Sequence, residues 1–288
     1  RLTPIAILDT TKRLFKHDLR FRIPLLILIL LIIFAIISLF SPYDFRASYY
    51  APINRPPSLS HPFGTNGRGQ DLFWMMTFAL KNSLIFGLEV AILSRLIAII
   101  IGVIAGYKGR IIDQMLIFLC DSFIVLPIFP ILIFLKLLTR EMDLSTLAIV
   151  LALFGWPWDA RLIRSQVLSL REQKFTITAI FSGENTWELI FYEYFPHILP
   201  IVLATTINNM LWSLGFEITL SVLGLTSLDI PTMGTITYWA IQQQAMVMGI
   251  WWWIFIPIAF IILLFTSLYL LFVSMTDFIN PRARVLSR

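Results

Sequence analysis

Six long stretches of the chain are dominated by apolar residues, and polar residues gather between them. From Phe21 to Phe40 only Arg22 is charged, an apolar run of the roughly 20 residues that a helix needs to cross the hydrocarbon core. Similar runs recur, so the pattern predicts an all-α, polytopic membrane protein with six transmembrane helices. Their expected limits are near 22–41, 80–106, 112–137, 144–163, 198–224 and 249–275. Between them fall a polar stretch over 42–79, two short connections, a second polar loop over 164–197, and a shorter one near 225–248. Pro52, Pro56, Pro57 and Pro62 suit the first stretch to an extended connection rather than a span. The expected organisation is therefore an N-terminal segment (1–21), a first span (22–41), a long loop (42–79), a five-helix core (80–276) and a short tail (277–288).

Composition agrees. Hydrophobic residues make up 58% of the 288 positions and charged residues 14%, about half the charge density of an ordinary globular domain. A soluble chain of this length could not hide so much apolar surface. The first apolar run is too long for a signal peptide and has no small-residue cleavage site near Phe40, so it reads as a retained anchor. The net charge of +5 speaks for topology, not nucleic acid. Fifteen of the 22 Lys and Arg residues lie on one face, in the first 22 residues, at Lys108 and Arg110, over 161–174, and in the tail. Six lie on the other, at Arg46, Arg55, Arg68, Lys81, Lys136 and Arg140, and Arg95 falls inside a span. The positive-inside rule then puts both termini in the cytoplasm, as an even number of spans requires. Trp239 and Trp251 to Trp253 fall at the outer start of the sixth span, where an interfacial aromatic belt is expected.

The residue inventory excludes most chemistry. No phosphate loop of the GxxxxGK[ST] type occurs, and no GxSxG elbow or HExxH pair. His17, His61 and His197 are too dispersed for a metal, and Cys120 is the only cysteine, so neither an intrachain disulfide nor a cysteine metal site can form. No catalytic, cofactor-binding or metal site is expected, and the chain is not expected to be an enzyme. Ionisable residues inside spans remain as candidates because a mid-membrane charge costs at least about 2.5–3.5 kcal/mol. They are Glu89, Arg95, Asp121 and Glu217. Glu89 and Arg95 are six positions apart and so lie on different helix faces, each expected to meet another helix or a polar cavity.

The loop after the fourth span begins Trp156-Pro157-Trp158-Asp159-Ala160-Arg161-Leu162-Ile163-Arg164 and continues through Leu168-Ser169-Leu170-Arg171-Glu172. It resembles the W-x-x-x-A-R-x-x-R-x-x-x-L-S-L-R-E stretch of peptide/nickel-type ABC-importer permeases, specifically the C-type subunits of dipeptide and oligopeptide importers. Gly183, Pro196 thirteen positions on, and Leu199-Pro200 keep the spacing of that family's EAA loop. His61-Pro62-Phe63-Gly64-Thr65 with Gly69 and Asp71 follows its outer-loop motif. Ala105-Gly106-Tyr107, Gly109, Asp113, Asp121 and Pro127 follow in order. Glu217 with Leu220 to Leu225, then Asp277 and Pro281-Arg282-Ala283-Arg284, complete the match. The departures are Ile177, Thr178 and Ala179 at the EAA positions, Glu193 in place of a basic residue, and Asn66 and Gln70 in place of Asp and Arg.

The resemblance implies a type I ABC-importer permease fold in a bacterial or archaeal plasma (inner) membrane. It implies a multi-pass subunit that forms half of a translocation pathway with a second homologous permease. Further expected partners are two ATP-binding subunits that carry ATP and Mg, an extracytoplasmic substrate-binding protein, and membrane lipid; no nucleic acid is expected. Peptide is the cargo implied, with oligosaccharide or nickel as alternatives. An ion-coupled secondary transporter is the rival of another class, though no inverted repeat is evident. Coupling to the ATPase is expected from a lever helix near 176–190 within the 164–197 loop, through Ile177, Thr178, Ala179, Ile180, Phe181, Gly183, Glu184, Trp187, Glu193 and Pro196. Gly64, Thr65, Gly69 and Asp71 are the expected contacts for the binding protein.

Overall fold

A computed structural model describes residues 19–139 and 142–279. The N-terminal segment to residue 18, Arg140, and the Pro281-Arg282-Ala283-Arg284 motif lie outside the described residues. Among those described, the regular structure is helical, and one isolated bridge joins Thr65 to Asp71.

Four helical stretches are long and apolar enough to cross a membrane singly. They are Leu19–Phe40, Leu72–Lys108, Thr186–Val222 and Trp252–Asp277, with mean hydropathies of 3.3, 2.4, 1.4 and 2.6. The first comprises α1 (Leu19–Ile37) and a closing 3₁₀ turn; the second is α2 (Leu72–Lys108). Two bent helix pairs are together long and apolar enough as well, and counting each pair as one span gives the six that the apolar pattern predicts. In the first pair, α3 (Arg110–Val125) and α4 (Ile128–Thr139) meet at 73°. Pro127 lacks an N–H and pushes Leu126 into an extended conformation, so the helix must break there. In the second, α5 (Leu144–Gly155) and α6 (Pro157–Arg171) meet at 42° around Trp156. Proline at the first turn of α6 is well placed there, because its missing N–H would have had no partner.

The helices overrun the expected limits where polar ends extend beyond the apolar run. At about 1.5 Å per residue, the 37 residues of α2 span well over the roughly 30 Å of hydrocarbon. Its extra length lies before residue 80, where Asp71 caps the helix by accepting from the Phe73 N–H at 2.9 Å. α6 likewise runs on to Arg171, and the sixth span starts only at Trp252. The short 225–248 loop contains a helix that the apolar pattern does not reveal, α10 (Met233–Gln242), capped reciprocally by Thr232 and Thr235. Between α6 and α10 come α7 (Lys174–Phe181), α8 (Thr186–Glu188), a π-helical turn (Leu189–Tyr194) and α9 (Phe195–Val222); α11 (Trp252–Ile279) is last.

α2 is the central post, packed against α1, α5, α6 and α9. Its closest neighbour is α6. A Cβ at Gly102 would lie 2.6 Å from the Ala160 carbonyl, and one at Gly106 would lie 2.8 Å from Val167 Cβ. Two glycines four apart thus let the two backbones approach, as small residues do wherever lipid supplies no hydrophobic drive. Side chains such as Ile23, Leu26, Leu30 and Ile33 on α1 are exposed in the isolated chain, as a lipid-facing helix requires. The expected aromatic belt is corrected by the packing. Trp252 and Trp253 are buried, Trp252 donating from Nε1 to the Thr65 carbonyl at 3.1 Å, and only Trp251 of the three is exposed.

Candidate functional site

The 164–197 loop is assembled on α6. Ala160, Ile163 and Val167 bury one face of that helix against α2 and α3, and its charged face is tied to the same helices by ion pairs. Arg164 grips Asp113 on α3 with two guanidinium nitrogens, Arg161 meets Asp121, and Arg171 donates to the Gly106 carbonyl at 3.1 Å. Deeper in, Asp159 pairs with Arg95 of α2 at 2.9 Å, and Arg95 Nε donates to Thr206 on α9 at 3.1 Å. α6 is therefore clamped along its length.

α7 hangs from this clamp. Thr176 Oγ1 donates to the Leu170 carbonyl at 2.7 Å, Phe175 stacks on His197, and Ala179 is buried. Ile177, Ile180 and Phe181 occupy the free face; Phe181 is 88% exposed. The spacings of three and four place them on one side of the helix. The expected lever over 176–190 is not continuous. α7 stops at Phe181, and Gly183 takes φ +84°. The Gly183 N–H bonds back to the Ile180 carbonyl and that of Glu184 to Ala179, a left-handed glycine stop. Asn185 then starts α8, its Oδ1 accepting from the N–H groups of Trp187 and Glu188 while the Glu188 carboxylate accepts from the Asn185 N–H. Glu188 is thus spent on a cap, as its place at a helix N-terminus favours.

Of the expected coupling residues, Ile177, Thr178, Ile180, Phe181, Gly183 and Trp187 are exposed, Glu184, Glu193 and Pro196 are partly covered, and Ala179 is inside. Ala179 packs into the apolar cluster beneath the helix. The π-helical turn rotates Leu189 and Tyr194 inward and leaves Phe191 and Tyr192 outside, where Phe191 stacks on Trp187. Those two exposed rings were not expected. The aromatic spacing from Trp187 to Tyr194, within an otherwise polar loop, is the signal that could have found them.

At the other end of α2 the 42–71 loop folds back on itself through its own hydrogen bonds. Thr65 Oγ1 donates to the Pro52 carbonyl and accepts from the Arg55 N–H, and His61 Nδ1 lies 2.8 Å from Asp71. The Tyr50 hydroxyl accepts from the Asp71 N–H at 3.1 Å. Burial pushes the Tyr50 pKa up to about 12. Gly64, Thr65, Gly69 and Asp71 are all buried. They set the loop's shape, and its exposed surface is made by neighbours such as Tyr49, Ile53 and Leu59.

The intramembrane candidates do not converge. Arg95 and Asp121 both pair with α6, Glu89 is exposed on α2 with no ionic partner among the described residues, and Glu217 is fully buried elsewhere. Glu217 Oε1 accepts from Thr232 and from Ser221, which ties α9 to the start of α10.

Residues 98–285 match the family model of the binding-protein-dependent transport system inner membrane component. The chain belongs to this family. The match runs from the last third of α2 through the clamp, the α7 turn and α11. The permease is also similar to the dipeptide transport system permease protein DppC of Bacillus subtilis, 28% identical over 96% of this chain and 86% of that one. It is 30% identical to the oligopeptide transport system permease protein OppC of the same organism, over 73% and 69% of the two chains. With OppC of Mycobacterium tuberculosis it shares 27% over 86% and 84%. The permease is therefore a multi-pass subunit of the ABC-importer type, with the type I fold that its motifs imply.

Proposed function

We propose that the permease forms half of the translocation pathway of an ATP-driven peptide importer and receives ATPase motion through α7 and the turn that follows it. The observation that carries this reading is the exposed face of Ile177, Ile180 and Phe181 on a short helix whose base is clamped to α2 and α3. Apolar anchors of this kind supply most of the binding energy at an interface, and a clamped base turns a push on them into movement of the core. The names of the similar dipeptide and oligopeptide permeases support peptide as cargo.

In this assembly a second homologous permease completes the pathway and two ATP-binding subunits hydrolyse ATP with Mg. The 164–197 loop, the N-terminal segment and the tail face the cytoplasm of a bacterial or archaeal cell. The 42–71 loop faces out and meets a substrate-binding protein with Tyr49, Ile53 and Leu59. ATP-driven closure rocks the two permeases between inward- and outward-open states. Co-purification tests the assembly. The permease expressed with its neighbouring transport genes should bring down two ATPase chains and a second permease, and Phe181→Asp should release the ATPases alone. Ion-driven peptide uptake by the permease by itself would overturn the proposal.

A further inference from the structure

The outer loop, the first turns of α2 and α11, and α10 enclose a cavity of about 360 Å³ at the face we place outside. That is at the small end of the range for ligand pockets, enough for the end of a peptide and too little for an extended one. Three charged side chains line it: Arg46, Arg68 and Asp229. None of them forms an ion pair with another described residue. The Arg68 guanidinium lies over the Trp239 ring, 4.7 Å from its centroid, and is partly buried there. The amide walls are already satisfied. Gln70 donates to the Ala47 carbonyl and accepts from Asn66, so neither side chain competes for a ligand.

Two guanidiniums and one carboxylate with no ionic partner make a concave site of net charge +1. A planar guanidinium supported on an indole face is suited to bidentate recognition of a carboxylate. A dianion would be opposed by Asp229, whereas a zwitterion would not. We propose that this cavity is a receiving subsite for the C-terminal end of a short peptide, with Arg68 and Arg46 taking the carboxylate and Asp229 favouring an ammonium. The proposal rests on the peptide-importer reading above.

The test uses the complete complex with its binding protein in proteoliposomes, with trialanine and trialanine amide as probes. Wild type and the Arg46→Gln/Arg68→Gln double variant share one binding protein, so any change in discrimination arises in the permease. The expected result is a fall of about tenfold in the preference of KM for free acid over amide. Arg68→Lys should restore part of it. An unchanged preference in the double variant overturns the subsite. So does a loss of binding-protein-stimulated ATP turnover with the preference intact, which would make the arginines a docking contact. A wild-type complex that imports another cargo but neither peptide overturns the peptide reading and the subsite with it.

Discussion

Gly64 in the 42–71 loop and Gly183 in the turn after α7 share a left-handed backbone, with φ of +74° and +84°, but not their surroundings. A Cβ on Gly64 would lie 2.6 Å from the Arg55 carbonyl and 2.8 Å from Trp252 Nε1. A Cβ on Gly183 would meet nothing within 4 Å. The same contrast runs through both regions. The outer loop turns its motif residues inward and completes its own hydrogen bonds. The stretch from α7 through the π-helical turn points Ile180, Phe181, Trp187 and Phe191 outward and leaves them uncovered. One region is closed by the chain's own contacts; the other is left open on the surface. Motif residues can thus be spent inside the fold or left on its surface, and burial separates the two.

The largest effect expected from this contrast is functional. Phe181→Asp adds a charge where the side chain is already 88% exposed, so the permease should keep its unfolding temperature, as surface changes usually do. ATP-coupled uptake should fall by well over tenfold, the loss typical of a central interface anchor. Gly183→Arg should do the same with a small folding cost. Normal uptake by both variants would break the comparison at its docking end.

Next comes stability. Gly64→Ala should cost about 2–4 kcal/mol, from left-handed strain together with a backbone clash that cannot relax cheaply. Gly183→Ala has the strain without the clash and should cost about 1–2 kcal/mol. Thermal unfolding in detergent compares them, and equal losses would show that packing around Gly64 is looser than its contacts indicate.

How much of this was readable from sequence follows the same division. The spans were legible because an apolar run of the right length has few alternatives, but the third was expected to be continuous over 112–137, and the break that Pro127 imposes between α3 and α4 was missed. α10 was not: it has ten residues, is partly polar, and carries threonine at the capping position where glutamate or glutamine would be diagnostic. The stop at Gly183 was half legible. Asn185 followed three residues later by Glu188 is a helix start in plain sequence, yet the expected lever ran through it. The grip of Arg164 on Asp113 joins positions 51 apart, and no local pattern announces such a pairing. For Gly64, Thr65 and Asp71 the family likeness marked importance without saying whether it was for folding or for a partner.

A smaller effect sharpens the comparison with one substitution applied to both regions. Trp252→Phe keeps a buried ring but removes the donor to the Thr65 carbonyl, leaving a buried acceptor without that bond, for a loss of about 1–3 kcal/mol. Trp187→Phe, at a side chain 70% exposed, should change stability by less than about 0.5 kcal/mol. Similar unfolding temperatures for the two variants would mean that the outer loop is not anchored through Trp252.

The smallest expected effect is a pH dependence confined to the outer loop. Tyr50 stacks on Tyr43, with ring centroids 4.1 Å apart, and its hydroxyl accepts from the Asp71 N–H. Burial is the main reason its pKa rises from 10.0 to about 12, and the nearby Asp71 carboxylate adds to the rise. The folded loop therefore favours the neutral phenol more than the open chain does. Its contribution is fully present below pH 10 and is lost as pH climbs from there to about 12, because the opened loop can then release the proton and the folded one cannot. Tyr50→Phe has no proton to release. Over that window the unfolding temperature of the wild type should drop more steeply than that of the variant, although the variant starts lower for want of the hydroxyl. Parallel slopes would mean that Tyr50 is already solvated in the folded loop, and the inward-turned character assigned to this region would have to rest on Gly64 and Thr65 alone.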